Sequence, residues 1–304
     1  MKESDTRTIT LVGGRVIKYA IFGRDAPDAP TIFFFHGFPG SHPEGELLAS
    51  AALKHTARIV SLSRPGFGGS TPAPSRTILD WPADVTAVAD EVLSDQKSRF
   101  VIVSFSAGAP YALACLRSIP PARLAGAVLL SGLYPGTAGL PLGTRALFAL
   151  GSVAPTLAAV GIEQTLGRVA RDGPRLERAM IRDFEGRGAA EAAVVEDPEA
   201  RGVLARSTQL AVADGGAGTA CEAGLLWRDW GFKLEELSVG EGRLLMWHGK
   251  EDGNVPVSMA EKAAAVLAGS ELRVFPDLAH TSLLVRKAED TVVAAIKMLH
   301  VRVD

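Results

Sequence analysis

Two short segments of this chain are apolar at every position, and they restrict the folds that it can adopt. Ile32 to Phe35 and Val101 to Val103 contain no polar residue, whereas a strand with one face in water alternates apolar and polar side chains. Continuously apolar strands are buried on both faces, as in a parallel sheet covered by helices. The two segments therefore predict the centre of an α/β sheet.

Further segments extend this pattern through the first half of the chain. Trp81 to Leu93 and Ala107 to Leu116 carry apolar residues at helical spacing. Because strand-like runs alternate with these helical runs, the predicted fold class is α/β, with a mostly parallel central sheet flanked by helices. The predicted strands are Val16 to Gly23, Thr31 to His36, Ala57 to Ser63, Phe100 to Phe105 and Ala125 to Ser131.

The alternation stops after residue 133 and resumes at residue 239. The residues between these points are rich in Ala, Arg and Glu and lack a convincing strand. We therefore expect an α/β core formed by residues 1–133 and 239–304, an inserted helical cap at residues 134–238, and a pocket between cap and core. After the cap, the pattern predicts strands at Leu244 to Trp247 and Glu271 to Phe275, and helices at Ala260 to Leu267 and Leu284 to Leu299.

A serine between small residues follows the second apolar segment, in Ser104-Phe105-Ser106-Ala107-Gly108. A nucleophile elbow places a serine on a sharp turn between a strand and a helix, with small residues two positions before and after it. Gly108 meets this requirement, and Ser104 stands where glycine is more usual. A serine in this position is also a common helix N-cap. Its place between a predicted strand and a predicted helix favours Ser106 as a nucleophile.

A base is needed as well, because a serine hydroxyl is a weak nucleophile until its proton is removed. Of the six histidines, His280 follows a predicted strand and precedes the last predicted helix, where its ring can reach back over the sheet edge to Ser106. His248 is interpreted as a packed residue at a strand end. His42, His55 and His300 are expected on the surface, and His36 belongs to a loop described below.

The base in turn needs a carboxylate that fixes its tautomer and stabilises the imidazolium. Asp252 follows a strand, in a turn rich in Gly and Pro, and is the favoured acid. An aspartate in a turn is also a common cap for the next helix. Glu251 and Asp277 are rival acids, although Asp277 is close to His280 in sequence, which disfavours it.

The chain order Ser106, Asp252, His280 resembles that of the α/β-hydrolase superfamily, in particular its branch with a cap and a serine nucleophile. The resemblance extends over most of the chain and implies an α/β-hydrolase fold with esterase-like or lipase-like activity. Three further segments are similar to members of this superfamily. They are the oxyanion loop His36-Gly37-Phe38-Pro39-Gly40, the turn Arg64-Pro65-Gly66-Phe67-Gly68-Gly69-Ser70, and Trp230-Gly231-Phe232 of the members with a helical lid.

An oxyanion hole needs two preorganised donors that point at the developing negative charge. The amide of Ala107, directly after the candidate nucleophile, is one candidate donor. The amide of Phe38 is the other, because glycines near it in the sequence permit the loop to approach closely. The alternative is that His36-Gly37 only turns the chain.

Apolar residues at the start of the cap have the spacing of one helical face. We expect this face to look down on Ser106 and to select a mainly apolar, medium-sized substrate, with Phe38, Phe105 and Phe148 lining the pocket. The same face could instead pack on the core or on a second subunit, so a homodimer through the cap is a further hypothesis. The face consists of Leu140, Leu142, Leu147, Phe148, Leu150 and Val153.

Composition and motifs disfavour several other functions. Lys and Arg total 32 and Asp and Glu total 34, for a formal net charge of −2, so there is no basic surplus for binding nucleic acid. No H-E-x-x-H, Cys-x-x-Cys or clustered ligand set is present, so neither a metal nor another cofactor is expected. Gly66 to Thr71 begins like a dinucleotide-binding fingerprint but lacks its third glycine. The Arg-rich stretch from Arg168 to Arg182 carries interspersed acids and is interpreted as a solvated face of the cap.

Ala138 to Ile162 has the length of a membrane span, and Arg145 is its only charge. Because Gly151, Pro155 and Gly161 interrupt it, we interpret it as cap helix and expect no stable membrane span. The N-terminal segment MKESDTRTIT lacks the apolar core of a signal peptide. A cytoplasmic location is therefore expected.

Three functions remain open at this point, each with a small molecule as the partner. The favoured one is a serine hydrolase that cleaves an ester, thioester or lactone through an acyl-enzyme. The second is carbon–carbon bond cleavage or cyclisation by the same three residues, and the third is a non-catalytic receptor with the same pocket. Serine at position 106 disfavours the aspartate-nucleophile chemistry of epoxide hydrolases and haloalkane dehalogenases.

Overall fold

A computed structural model describes residues 6–93, 95 and 98–301. Within these residues, the strands are β1 (Thr6–Thr10), β2 (Val16–Gly23), β3 (Thr31–Phe35), β4 (Arg58–Leu62), β5 (Phe100–Phe105), β6 (Leu124–Leu130), β7 (Leu244–Gly249) and β8 (Ser270–Phe275). They form one sheet in the order β1-β2-β4-β3-β5-β6-β7-β8. The pairs β1–β2 and β2–β4 are antiparallel, and the other neighbours are parallel.

The helices of the described residues, in chain order, are α1 (Ala49–Lys54), α2 (Trp81–Val92), α3 (Ala109–Ser118), α4 (Leu142–Val153), α5 (Pro155–Ile162), α6 (Arg168–Ala170), α7 (Gly173–Glu185), α8 (Ala189–Glu196), α9 (Pro198–Ala211), α10 (Ala217–Trp227), α11 (Val257–Ala264), α12 (His280–Arg286) and α13 (Ala288–Leu299). A π-helical turn at Glu163–Gly167 joins α5 to α6. Short 3₁₀ turns occur at His42–Leu48, Ile78–Asp80, Ser106–Gly108 and Leu234–Glu236.

Helices cover both faces of the sheet, which explains the apolar segments in the sequence. Along β3, Phe33 and Phe35 pack with α2 and α3 on one face, whereas Ile32 and Phe34 pack with α1 and α13 on the other. This alternation follows from the two-residue period of a strand. The predicted α/β fold, with its mostly parallel sheet and helical insertion, is confirmed.

Helices α4 to α10 lie between β6 and β7 along the chain. The helices α4 and α10 approach each other closely at two glycines. A Cβ atom on Gly151 would lie 2.6 Å from the carbonyl oxygen of Ala220, and one on Gly224 would lie 2.6 Å from the carbonyl oxygen of Gly151. Glycine therefore permits this close helix contact. The exact cap boundaries, residues 134 and 238, stay a prediction.

Two elements differ from the sequence-based expectation by more than a shift of their bounds. The edge strand β1 was not predicted, because its sequence TRTIT is mostly polar and its side chains are exposed or half-buried. The predicted helix from Leu284 to Leu299 is two helices, α12 and α13, which meet at Lys287. No glycine or proline marks this break. The amide of Lys287 donates to Leu283 and its carbonyl accepts from Thr291, so both helices keep their terminal hydrogen bonds.

The loops that follow the parallel strands all begin at one edge of the sheet. His36 follows β3, Arg64 comes shortly after β4, and Ser106 directly follows β5. Asp252 and His280 lie in the segments after β7 and β8. Because parallel strands share their carboxyl edge, residues distant in sequence meet there. Across the described part of the chain, none of the helices has both the length and the apolar character needed to cross a membrane.

Candidate active site

Ser106 lies on a strained turn between β5 and α3. Its φ angle is +53°, a left-handed conformation that is unusual for a residue with a side chain. The turn fits because position 108 is glycine: a Cβ atom there would lie 2.5 Å from the carbonyl oxygen of Phe35 on the neighbouring strand. The carbonyl of Ser106 accepts a hydrogen bond from the amide of Leu133 at 3.0 Å. The turn therefore has the geometry of a nucleophile elbow.

The ring of His280 lies between Ser106 and Asp252. Its Nε2 is 2.9 Å from Ser106 Oγ, and its Nδ1 is 2.7 Å from Asp252 Oδ2. An ionised carboxylate only accepts hydrogen bonds, so Nδ1 carries the proton and Nε2 is free to accept one from Ser106. The rival acids Glu251 and Asp277 are exposed.

Asp252 is buried, and several donors surround its carboxylate. Oδ1 accepts from the amides of Asn254 and Val255 at 2.9 and 2.8 Å, and His248 Nε2 lies 3.2 Å from Oδ2. Burial alone would raise the pKa of Asp252, but the nearby His280 and the contacts from both histidines outweigh it and hold that pKa well below its usual value. Asp252 is therefore ionised and can stabilise a positive charge on His280.

Arg64 and His36 hold the loop that carries Phe38. Arg64 is fully buried and donates to the carbonyls of His36 and Gly37 at 2.7 and 2.9 Å. Burial, and then the charge of Arg64, hold the pKa of His36 well below its usual value, so its ring is neutral. Its Nδ1 then donates to the carbonyl of Gly37 at 2.8 Å, and its Nε2 accepts from the amide of Arg64 at 3.3 Å. The backbone around Phe38 is thus fixed by buried polar groups.

A second acid, Glu44, lies beside the same loop. It is buried, lines the cavity over Ser106, and accepts a hydrogen bond from the amide of Gly37 at 2.8 Å. Ser207 Oγ, from α9, is 3.4 Å from its other oxygen. Burial raises the pKa of Glu44 to about 7, and the hydrogen bond from Gly37 and the charge of Arg64 limit this rise. Glu44 therefore changes its charge near neutral pH.

A cavity of about 550 Å³ lies above Ser106, between core and cap. Phe38 and Phe105 both line it, and the ring of Phe105 packs on the ring of His280 with 4.9 Å between centroids. The Ala107 amide belongs to the first turn after Ser106, where amides have no partner within the helix. The cap side of the cavity is mostly apolar and includes Leu166, Val169, Leu176, Met180, Phe184 and Leu204.

The structure places the cap wall of the cavity on a different helix from the one that the sequence indicates. Phe148 is not part of the described cavity lining; it is buried behind Phe38, edge to face, with ring centroids 5.6 Å apart. Leu142 and Val153, on the same helix α4, are each 79% exposed. The expected face of α4 therefore does not look down on Ser106, because its buried side packs on α10 and the core.

The wall comes largely from α7, which overlaps the Arg-rich stretch. Leu176, Met180 and Phe184 recur at every fourth position, so they share one face of the helix, and all three line the cavity. Arg178 and Arg182 are exposed on the remaining surface. The interpretation of Arg168 to Arg182 as a solvated face is therefore wrong for its apolar positions and correct for these arginines.

The other histidines differ in their exposure. His42 was expected on the surface but is buried: its Nδ1 is 2.8 Å from Ser63 Oγ and its Nε2 is 3.2 Å from Thr6 Oγ1. Burial and the charge of Lys18 lower its pKa to about 4. His300 is exposed and His55 is half-buried. The described residues contain no cluster of His, Cys, Asp and Glu that could hold a metal ion.

Comparison with known proteins identifies the family of this chain. A family model described as "Alpha/beta hydrolase family" matches residues 32–295, which is most of the chain. The chain belongs to the alpha/beta hydrolase family. The resemblance to the superfamily that the sequence motifs indicate is thereby confirmed. Membership of the branch with a cap and a serine nucleophile stays a prediction. A search of curated proteins found no significant match.

Several solved structures share the fold of this alpha/beta hydrolase at low sequence identity. A hydrolase from Pseudomonas aeruginosa PA01 is 17% identical, with a TM-score of 0.66 over 99% of this chain and 100% of that one. An esterase from Exiguobacterium antarcticum is 20% identical, with a TM-score of 0.66 over 95% and 98% of the two chains. An enol-lactonase from Burkholderia xenovorans LB400 is 18% identical, with a TM-score of 0.64 over 96% and 99%.

Sequence reasoning missed several polar residues of this alpha/beta hydrolase site. Glu44 and Glu222 carry no motif of their own, and Arg64 appears only as the first residue of a glycine-rich turn. One signal was available: Arg64 comes directly after a predicted buried strand, where a charged side chain needs a partner. That partner is Glu222 of α10, whose Oε1 lies 2.6 Å from Arg64 Nη2.

Proposed function

We propose that this alpha/beta hydrolase is a serine hydrolase that cleaves an ester, thioester or lactone bond of a mainly apolar small molecule. The observation that carries the proposal is the series of contacts from Ser106 through His280 to Asp252, at 2.9 and 2.7 Å. It brings a nucleophile, a base and an orienting acid together beside a cavity large enough for a small molecule.

In the proposed reaction, Ser106 Oγ attacks the substrate carbonyl carbon while His280 Nε2 takes the hydroxyl proton. The ionised Asp252 stabilises the resulting imidazolium. His280 then gives the proton to the leaving oxygen or sulfur, and the acyl group stays on Ser106. A water molecule, activated by the same histidine, releases the acid and restores the serine.

The negative charge on the tetrahedral intermediate needs donors that are already in place. We assign this role to the amides of Phe38 and Ala107. The contacts of Arg64 and His36 with the loop around Phe38 support the assignment, because they hold its backbone without using the Phe38 amide.

The cavity supports a mainly apolar substrate of moderate size. Its volume of about 550 Å³ lies within the usual range of roughly 300 to 1,000 Å³ for small-molecule sites. Most of the cap side chains that line it are aliphatic or aromatic. Its polar lining includes Glu44, Ser106 and His280 of the core, Thr165 and Thr208 of the cap, and the exposed ion pair of Asp183 and Arg187. The acyl or leaving group that contacts the cap is therefore expected to be apolar.

The proposal is tested with a fluorophosphonate probe and a panel of esters, thioesters and lactones. The wild-type chain should gain one probe adduct, on Ser106, and hydrolyse at least one class of the panel. Ser106→Ala should take up no probe and lose roughly 10⁴-fold or more in kcat. Circular dichroism should show that the variant is folded.

Ser104→Ala is the matched control, because Ser104 is a buried serine two residues earlier whose Oγ has no hydrogen-bond partner among the described residues. It should keep both labelling and turnover. A wild-type chain that resists the probe, or a Ser106→Ala variant that keeps a tenth of the activity, would overturn the proposal. Labelling without hydrolysis of any member of the panel would favour the non-hydrolytic alternatives instead.

A further inference from the structure

A carboxylate from the cap contacts the backbone next to His280. Glu191 lies on α8, and its Oε1 accepts hydrogen bonds from the amides of Thr281 and Ser282 at 2.7 and 2.9 Å. Only 1% of Glu191 is exposed. Its other oxygen, Oε2, is buried and has no partner among the described residues, so both of its observed hydrogen bonds go to these two amides.

These amides belong to the first turn of α12, which begins at His280. Amides in the first turn of a helix have no acceptor within the helix. Glu191 supplies an acceptor for two of them, from a helix about 90 residues away along the chain. Ser131, which follows β6, donates from its Oγ to the carbonyl of His280 at 3.0 Å. The core thus holds the carbonyl of His280, and the cap holds the two amides that follow it along the chain.

We propose that Glu191 is a positioning residue that couples the seating of the cap to the placement of His280. The inference rests on the proposed function, in which the imidazole must stay in line with Ser106 and Asp252. When α8 is seated on α12, the carboxylate holds the backbone that carries the imidazole. When α8 moves away, two amides lose their acceptor and His280 loses one of its restraints.

The expected consequence is a loss of rate rather than of substrate binding. Displacement of a reacting group by about 1 Å can lower a rate by about 100-fold, whereas Glu191 is not part of the described cavity lining. Glu191→Ala should therefore lower kcat, and the rate of fluorophosphonate labelling of Ser106, by roughly 10- to 100-fold. KM for a short p-nitrophenyl ester should change little.

A conservative variant and a matched control distinguish an effect on the position of His280 from a general loss of folding stability. Glu191→Gln keeps an oxygen that can accept from both amides, so it should recover most of the labelling rate. Glu196→Ala changes an exposed glutamate on the same helix α8 and should behave as wild type. If Glu191→Ala does not fold, Glu191→Asp replaces it, because its shorter side chain cannot reach both amides and should lower kcat in the same way.

Hydrogen exchange gives a readout that does not depend on catalysis. A peptide covering residues 279–286 should exchange faster in Glu191→Ala than in wild type or Glu196→Ala. The inference is overturned if Glu191→Ala, measured well below its Tm, is labelled as fast as wild type. If the wild type is not labelled at all, the proposed function fails, and this inference fails with it. If wild type and variant are labelled at equal rates, this inference alone is overturned.

Discussion

At the scale of single residues, buried polar groups that contact more than one partner hold the side chains of this site in place. Asp252 accepts from the amides of Asn254 and Val255 while its other oxygen faces His280 and His248. Buried polar groups are costly unless hydrogen-bonded, so each of these contacts also restricts where the side chain can lie. The chemistry proposed for Ser106 depends on that restriction.

The first prediction concerns the acid. Asp252→Asn should lower kcat/KM by about 10⁴-fold, because an asparagine amide donates to His280 Nδ1 and moves the ring proton to Nε2, where it blocks acceptance from Ser106. Glu251→Gln, at an exposed neighbouring position, should change kcat/KM by less than about 3-fold. Steady-state kinetics on any hydrolysed ester checks both. A larger loss in Glu251→Gln would reverse the assignment.

The second prediction concerns Glu44 and pH. In the folded chain, burial raises the pKa of Glu44 from the usual 4.5 to about 7. Between these pH values the folded chain keeps a proton that the unfolded chain releases, so the free energy of unfolding falls as pH rises from about 4.5 through 7. The loss from this one group is on the order of 3 kcal/mol. Glu44→Gln is neutral at every pH and should gain stability relative to wild type as the pH rises from 5 to 8.

Urea unfolding at several pH values measures this difference. Glu241→Gln, at an exposed position, is the control and should follow the wild type. Parallel curves for wild type and Glu44→Gln would show that Glu44 does not take up a proton in this range.

At the scale of elements, the strand–turn–helix unit around Ser106 and the cap helix α7 have separate roles. The turn is set by close backbone packing: Gly108 lies against β3, and the φ of Ser106 is positive. Helix α7 places Leu176, Met180 and Phe184 on the cavity. The first unit therefore sets the position of Ser106, and the second sets the shape of the space above it.

The third prediction follows from this division. Met180 is half-buried and lines the cavity, so Met180→Ala should shift relative kcat/KM towards longer acyl chains by roughly 10-fold. Phe148→Ala should instead lower stability by about 3 to 5 kcal/mol with little change in selectivity, since Phe148 is buried behind Phe38. Kinetics on esters of increasing acyl length, with thermal melts, checks both. The opposite pattern would place Phe148 against the substrate.

At the scale of the whole molecule, buried polar contacts join the cap to the loops of the core. Glu222 of α10 pairs with Arg64 at 2.6 Å and with Arg76 at 3.1 Å, and Tyr111 Oη lies 3.3 Å from it. Ser41 and Ser207 form a second cap–core contact, in which Ser41 Oγ donates to the carbonyl of Ser207 at 2.7 Å. Cap and core are therefore expected to unfold together.

The fourth prediction tests this coupling. Glu222→Gln leaves two buried guanidinium groups without a carboxylate, and removing one partner of a buried ion pair costs about 3 to 5 kcal/mol. Glu236→Gln, which breaks an exposed pair with Arg117, should cost less than about 1 kcal/mol. Urea unfolding measures both. Equal small losses would show that the buried pair does not hold cap and core together.

The sequence alone determined the layered α/β fold, the helical insertion and the elbow that carries Ser106. Each of these depends on a local pattern: apolar runs for buried strands, helical spacing, and small residues around one serine. His280 and Asp252 were also selected locally, from their places after predicted strands. The strands share one edge, so the order of elements is enough to bring these loops near each other.

Tertiary structure alone decided which cap residues and buried polar partners surround that edge. Glu191 reaches Thr281 across about 90 residues, and Glu222 reaches Arg64 across 158. No local pattern encodes such partners, because they depend on how the cap helices dock on the core. The same docking turned the apolar face of α7 rather than that of α4 towards the cavity. Side-chain periodicity shows that a helix has an apolar face, but only packing determines what that face covers.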